Sequence, residues 1–215
     1  YYKVTGPDTV QVTGDWVDGE MAYDSARYRD LFNSENTMLV IPDTVEYSGK
    51  TFRVTSIGYR AFYSQGYLTE VTLPAELETI GEEAFQHCYN ITNMVIPDSV
   101  QRIDSFAFYG VRASLNIPHS LVYVGAQAYF GCNSMPTITF PSTLKEIGAF
   151  AFSFNNAYTV EIPDTLPPEL FNEGFIANAP TLRYLHIPET WTFIPDGFCS
   201  TAPELTELQI PSRAV

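Results

Sequence analysis

Positive charge is scarce in this chain: 11 lysines and arginines stand against 25 aspartates and glutamates, for a formal net charge of −14. Nucleic-acid binding needs a basic footprint that neutralises phosphates, so that partner class is excluded. The same balance disfavours an anionic membrane surface and steers the protein toward cationic partners. No apolar run approaches the ~18 residues of a transmembrane helix, so no membrane insertion is expected. Histidine is almost absent, and His87, His119 and His186 fall on separate segments. The sequence carries no G-x-S-x-G, H-E-x-x-H, phosphate-binding loop or dinucleotide fingerprint. It is therefore read as non-catalytic, with no cofactor. Asp15, Asp18, Glu20 and Asp24 cluster around Gly19. Their spacing fails the calcium-loop pattern, so a solvated acidic loop is expected and no metal site. With three cysteines, at least one is unpaired.

What the chain has in abundance is one repeated pattern. Leu68–Asn90, LTEVTLPAELETIGEEAFQHCYN, has close relatives from there to the C-terminus. Hydrophobic-Pro steps occur at Ile41-Pro42, Leu73-Pro74, Ile96-Pro97, Ile117-Pro118, Phe140-Pro141, Ile162-Pro163, Ile187-Pro188 and Ile210-Pro211. The intervals between those prolines are 32, 23, 21, 23, 22, 25 and 23 residues. A period in the low twenties indicates a solenoid of leucine-rich-type coils, each in contact mainly with its neighbours.

Within each coil the alternation of a strand sets the inward residues, as in Leu68, Val71 and Leu73, and leaves Glu70 and Thr72 outward. The corresponding inward sets are Ile91, Met94, Ile96; Ala157, Val160, Ile162; Leu182, Leu185, Ile187; and Leu205, Leu208, Ile210. Proline ends each strand because it has no N–H for the ladder. A second apolar step follows at Ile80, Ile103, Val124 and Ile147, usually with a glycine behind it to permit a sharp turn. Then come a small residue and an aromatic, from Ala61-Phe62 to Gly174-Phe175 and Gly197-Phe198. This is read as a tight helical turn that packs its ring inward, with seven rings stacked in register. Cys88 and Cys132 would lie two coils, on the order of 10 Å, apart. A disulfide needs ~4.4–6.8 Å, so none is predicted between them.

Residues 1–36 do not follow the repeat and are read as an N-terminal capping segment, with two short strands closed by Gly6-Pro7-Asp8. Residues 37–215 form the solenoid. Its long first interval is explained by a tight hairpin at Ser48-Gly49-Lys50. Toward the other end the pattern drifts, with Pro167-Pro168 where an apolar step is due. The expected fold is therefore an α/β leucine-rich-repeat solenoid, right-handed and strand-rich. A parallel sheet on one face, short helical turns and a β-rich N-terminal cap complete it.

The elements IPDTVEYSGKTFRVTSIGYRAF, VTLPAELETIGEEAF, IPDSVQRIDSFAF and FPSTLKEIGAFAF resemble the BspA-like leucine-rich-repeat family of bacterial surface proteins. The resemblance covers roughly residues 37–211 and is specific for the fold. It implies a secreted or surface-anchored bacterial protein acting in adhesion or protein binding. The start at Tyr1 rather than Met is compatible with a removed leader.

Solenoids present ligands to the face where outward strand residues of successive coils line up. Here that face reads Glu70/Thr72, Asn93/Val95, Ser114/Asn116, Thr137/Thr139, Thr159/Glu161, Tyr184/His186 and Glu207/Gln209. Tyr158, Glu161, Tyr184, His186 and Glu207 are expected to be close neighbours, and aromatic rings with hydrogen-bonding tips are enriched at interfaces. They are the candidate binding residues, with a host extracellular or bacterial surface protein as the expected partner. Two alternatives stand beside this reading: glycan capture, using exposed aromatics, and an accessory repeat domain of a larger surface enzyme.

Overall fold

A computed structural model describes residues 2–13, 16–17, 20–21, 32–171 and 174–212. At the N-terminal end, Tyr2–Val4 and Thr9–Val12 form an antiparallel pair. Thr9–Val12 then runs parallel to Lys50–Ile57, and Val10 and Val12 enter the core. Thr44–Tyr47 folds back on Lys50–Ile57 through Ser48 and Gly49, which have φ of 52° and 74°. Two left-handed residues match the twist of the flanking strands, which is why this pair suits a two-residue hairpin. Of the acidic group around Gly19, Asp15, Asp18, Asp24 and the side chain of Glu20 lie outside the described residues.

The coils stack into parallel sheets on two faces rather than one. The strands that end at proline form Met38–Val40, Glu70–Thr72 and Asn93–Met94, then Thr137–Thr139, Thr159–Glu161, Tyr184–His186 and Glu207–Gln209. The second apolar step builds a separate sheet from Lys50–Ile57, Thr79–Ile80, Arg102–Ile103, Tyr123–Val124 and Glu146–Ile147. Ile57, Ile80, Ile103 and Val124 are fully buried there.

The third side corrects the expectation of helical turns. Among the described residues the only helical segment is the 3-10 turn Pro168–Leu170, so the fold is an all-β solenoid rather than α/β. The residue two before each ring is left-handed at Arg60, Glu83, Phe106, Gln127 and Phe150, and the residue two after it at Ser64, His87, Gly110, Gly131 and Phe154. That geometry interrupts helical dihedrals and aims alternate N–H groups at the next coil. Phe62 N–H donates to Ala84 O, Phe85 to Ala107, Phe108 to Ala128 and Tyr129 to Ala151, all at 2.8–2.9 Å.

The glycines behind the second apolar step do not serve a left-handed turn. A Cβ on Gly148 would sit 2.2 Å from Ala126 N, and one on Gly125 2.3 Å from Ser105 N. Those glycines allow neighbouring coils to approach backbone to backbone.

Inside, the rings of Phe62, Phe85, Phe108, Tyr129 and Phe152 form a continuous ladder with centroids 5.2, 5.8, 5.5 and 4.9 Å apart. Each such pair contributes about 0.5–1.5 kcal/mol beyond area burial. The ladder holds five rings in register, not seven. Phe152 N–H donates to Phe175 O, so Phe175 stands where earlier coils place alanine and Ile176 takes the ring position. Phe152 and Phe175 consequently meet at 66° and 6.0 Å. Phe171 and Trp191 fill the altered space, and the Trp191 indole N–H donates to Leu166 O at 2.7 Å.

Cys88 and Cys132 are free thiols, each donating to a backbone carbonyl, of Phe62 and Phe108 respectively. Burial raises both thiol pKa values, that of Cys88 to about 12, which makes them inert packing groups.

Candidate functional site

The proline-terminated strands place the five sequence-derived candidates on one continuous surface. Pairing sets two rows across the last four strands. One row runs Thr137, Thr159, Tyr184, Glu207, and the other Thr139, Glu161, His186, Gln209. Side chains two apart on a strand share a face, so the two rows lie side by side. Tyr158 precedes its strand, and its carbonyl accepts from the N–H groups of Arg183 and Tyr184. Tyr158 and Tyr184 are about half exposed.

Local contacts order part of this surface. His186 Nδ1 and Gln209 Oε1 are 3.0 Å apart, which places the ring proton on Nδ1 if the pair is a hydrogen bond. The Thr139 hydroxyl donates to Glu161 at 3.4 Å. The Arg183 guanidinium lies 5.6 Å from the Tyr158 ring centroid and 3.8 Å from the Glu204 carboxylate. The Tyr184 hydroxyl and the Glu207 carboxylate have no side-chain hydrogen bond among the described residues. A shallow depression of ≈ 220 Å³ is lined by Thr159, Glu161, Tyr184, His186, Glu207 and Gln209. A second, of ≈ 500 Å³, opens beside it between Thr139, Phe140, Glu161, Asp164 and His186. Both are open surface hollows with a mixed polar and apolar lining.

No group of three His, Cys, Asp or Glu side chains suited to a metal ion occurs among the described residues. The three histidines remain apart. His119 pairs with Asp98 at 2.9 Å on the surface, and His87 contacts the Tyr89 hydroxyl at 2.5 Å, its pKa lowered by burial.

Asn116 departs from the expected outward row. The strand face is interrupted in its coil, and its amide turns back onto the backbone of Ile96. The sequence reading also missed a row of rings on the third side: Tyr63, His87, Tyr109, Phe130 and Phe154. Its signal in the sequence is a ring one or two positions after each buried aromatic.

The repeat itself is diagnostic. A family model described as the BspA type leucine rich repeat region matches six copies over residues 55–115 and 112–214. The chain belongs to the BspA-type leucine-rich repeat family. Solved leucine-rich repeat proteins share the fold. A leucine-rich repeat protein from Bacteroides ovatus is 24% identical with a TM-score of 0.67, over 100% of this chain and 58% of its own. The leucine-rich repeat protein of T. pallidum is 21% identical, again with a TM-score of 0.67, over 93% of this chain and 82% of that one. The chain thus spans a little over half the length of the Bacteroides ovatus protein. No curated protein matches it significantly. Among the described residues, no helix is long and apolar enough to cross a membrane.

Proposed function

We propose that this BspA-type chain is a non-catalytic protein-binding module of an exported or surface-displayed bacterial protein, acting in adhesion. Its contact surface is the C-terminal part of the strand face. The observation that carries this reading is the pair of registers Thr159–Tyr184–Glu207 and Glu161–His186–Gln209, which gathers rings and hydrogen-bonding tips on a rigid sheet. A preorganised surface loses little conformational entropy on binding, and exposed tyrosines supply large contact area with few rotatable bonds. Affinity then comes from a few residues in shallow hollows rather than from one deep pocket. The surface location is supported by membership of a family of bacterial surface proteins.

The test is a pull-down with the full chain against host extracellular and bacterial surface proteins, followed by titration of any captured partner. Saturable binding weakened by Tyr184→Ala and His186→Ala supports the proposal. Binding indifferent to both, in variants that keep the wild-type melting temperature, removes this patch from it.

A further inference from the structure

The outer row of rings stops abruptly at Phe154. Tyr109 and Phe130 stack at 4.8 Å with their planes 2° apart, and Phe130 meets Phe154 at 4.7 Å. Phe154 N–H donates to Ala177 O, so the matching position in the next coil is Asn178. Among the described residues Phe130 is the only ring in contact with Phe154, which leaves its side toward Asn178 without an aromatic neighbour. Phe154 is 48% exposed. A groove of ≈ 530 Å³ runs past it, with Phe130, Asn133, Phe154, Asn156, Asn178 and Thr201 on its walls.

Two properties of this groove point to one kind of ligand. Among the described residues no charged side chain lines it, in a protein with a net charge of −14, so its occupant is neutral. The amides of Asn133, Asn156 and Asn178 make no side-chain hydrogen bond among the described residues, so donors and acceptors are free at its edge. The Phe154 backbone is left-handed, with φ of 56°, as is the matching position in the other coils, at Ser64, His87, Gly110, Gly131, Asn178 and Thr201.

We infer that this groove binds a neutral oligosaccharide. The C–H face of a pyranose lies on the Phe154 ring, whose π-face is electron-rich, while the asparagine amides hydrogen-bond the hydroxyls around it. From the coil of Phe130 to that of Thr201 are three inter-strand steps, about 14 Å, which accommodates a short run of sugars. The site is distinct from the strand-face patch, and the sugar and the protein partner are held by different residues.

Isothermal titration calorimetry of the full chain tests this with neutral oligosaccharides of glucose, mannose, galactose, xylose and N-acetylglucosamine, and with oligogalacturonate as the charged comparison. At least one neutral series is expected to bind saturably, and oligogalacturonate to bind more weakly. Phe154→Asn removes the ring while suiting a left-handed backbone, and is expected to weaken binding about tenfold or more. Asn156→Ala is expected to weaken it in the same direction, and Tyr184→Ala to leave it unchanged. The inference is overturned by the absence of neutral-sugar binding, by preference for the uronate, or by wild-type affinity in a folded Phe154→Asn variant.

Discussion

The side-chain amide of Asn116 is bonded twice to a single residue, Ile96. Its Oδ1 accepts from Ile96 N–H and its Nδ2 donates to Ile96 O, both at 2.8 Å. In this coil the proline-terminated segment forms no strand, so the amide supplies the pairing that a backbone peptide provides elsewhere. It thereby ties this strandless segment to the preceding coil.

Asn116→Ala leaves both Ile96 groups without these partners, and is expected to destabilise the protein by about 1–3 kcal/mol. Urea unfolding monitored by circular dichroism measures this. A change within ~0.5 kcal/mol would show that solvent replaces the amide at no cost.

The close approach of coils at Gly148 makes a paired prediction. Its added Cβ meets backbone at 2.2 Å, whereas one at Gly66 meets nothing within 4 Å. Gly148→Ala is expected to cost about 3 kcal/mol or more, because backbone cannot move aside as a flexible side chain can. Gly66→Ala is expected to be neutral or to stabilise by up to ~1 kcal/mol through the unfolded chain. Equal effects in thermal unfolding would contradict the stacking argument.

Asp98 supplies a pH dependence. The backbone N–H of His119 holds its carboxylate pKa below the ordinary value, with the His119 ring adding to the effect. A carboxyl depressed in the folded state contributes stability that is present above its unfolded pKa of about 3.9 and is lost as pH falls through the folded value. Carbon-detected NMR titration is expected to place Asp98 below a reference aspartate. Asp98→Asn, which keeps an acceptor for the His119 N–H, is expected to flatten the acid limb of stability without abolishing folding. An unshifted Asp98 titration would remove this contact from the acid response.

The repeat was legible because its signals are side-chain patterns. Leu68, Val71 and Leu73 alternate as a buried strand face must, and Pro74 marks where the ladder ends. The same alternation assigns Tyr184, His186 and Glu207 to one surface. Features that depend on the backbone were not legible. Glu83 and Gln127 give no chemical sign of their left-handed φ, so Ala84-Phe85 and Ala128-Tyr129 read as helical turns. Gly174-Phe175 matches Ala151-Phe152 in composition, yet the Phe152–Phe175 hydrogen bond shifts it by one position. The outer rings escaped notice because His87 and Phe154 stand two places after the buried aromatic, whereas Tyr109 and Phe130 stand one place after it.

The measurement that tests the functional account most directly is the dissociation constant of a captured protein partner for the wild type and for Tyr184→Ala. Far-UV spectra and melting temperatures run beside it establish that both are folded. The account predicts saturable binding that weakens by at least about tenfold when the Tyr184 ring is removed. Unchanged affinity in a folded Tyr184→Ala protein would contradict it and move the contact surface off the strand face.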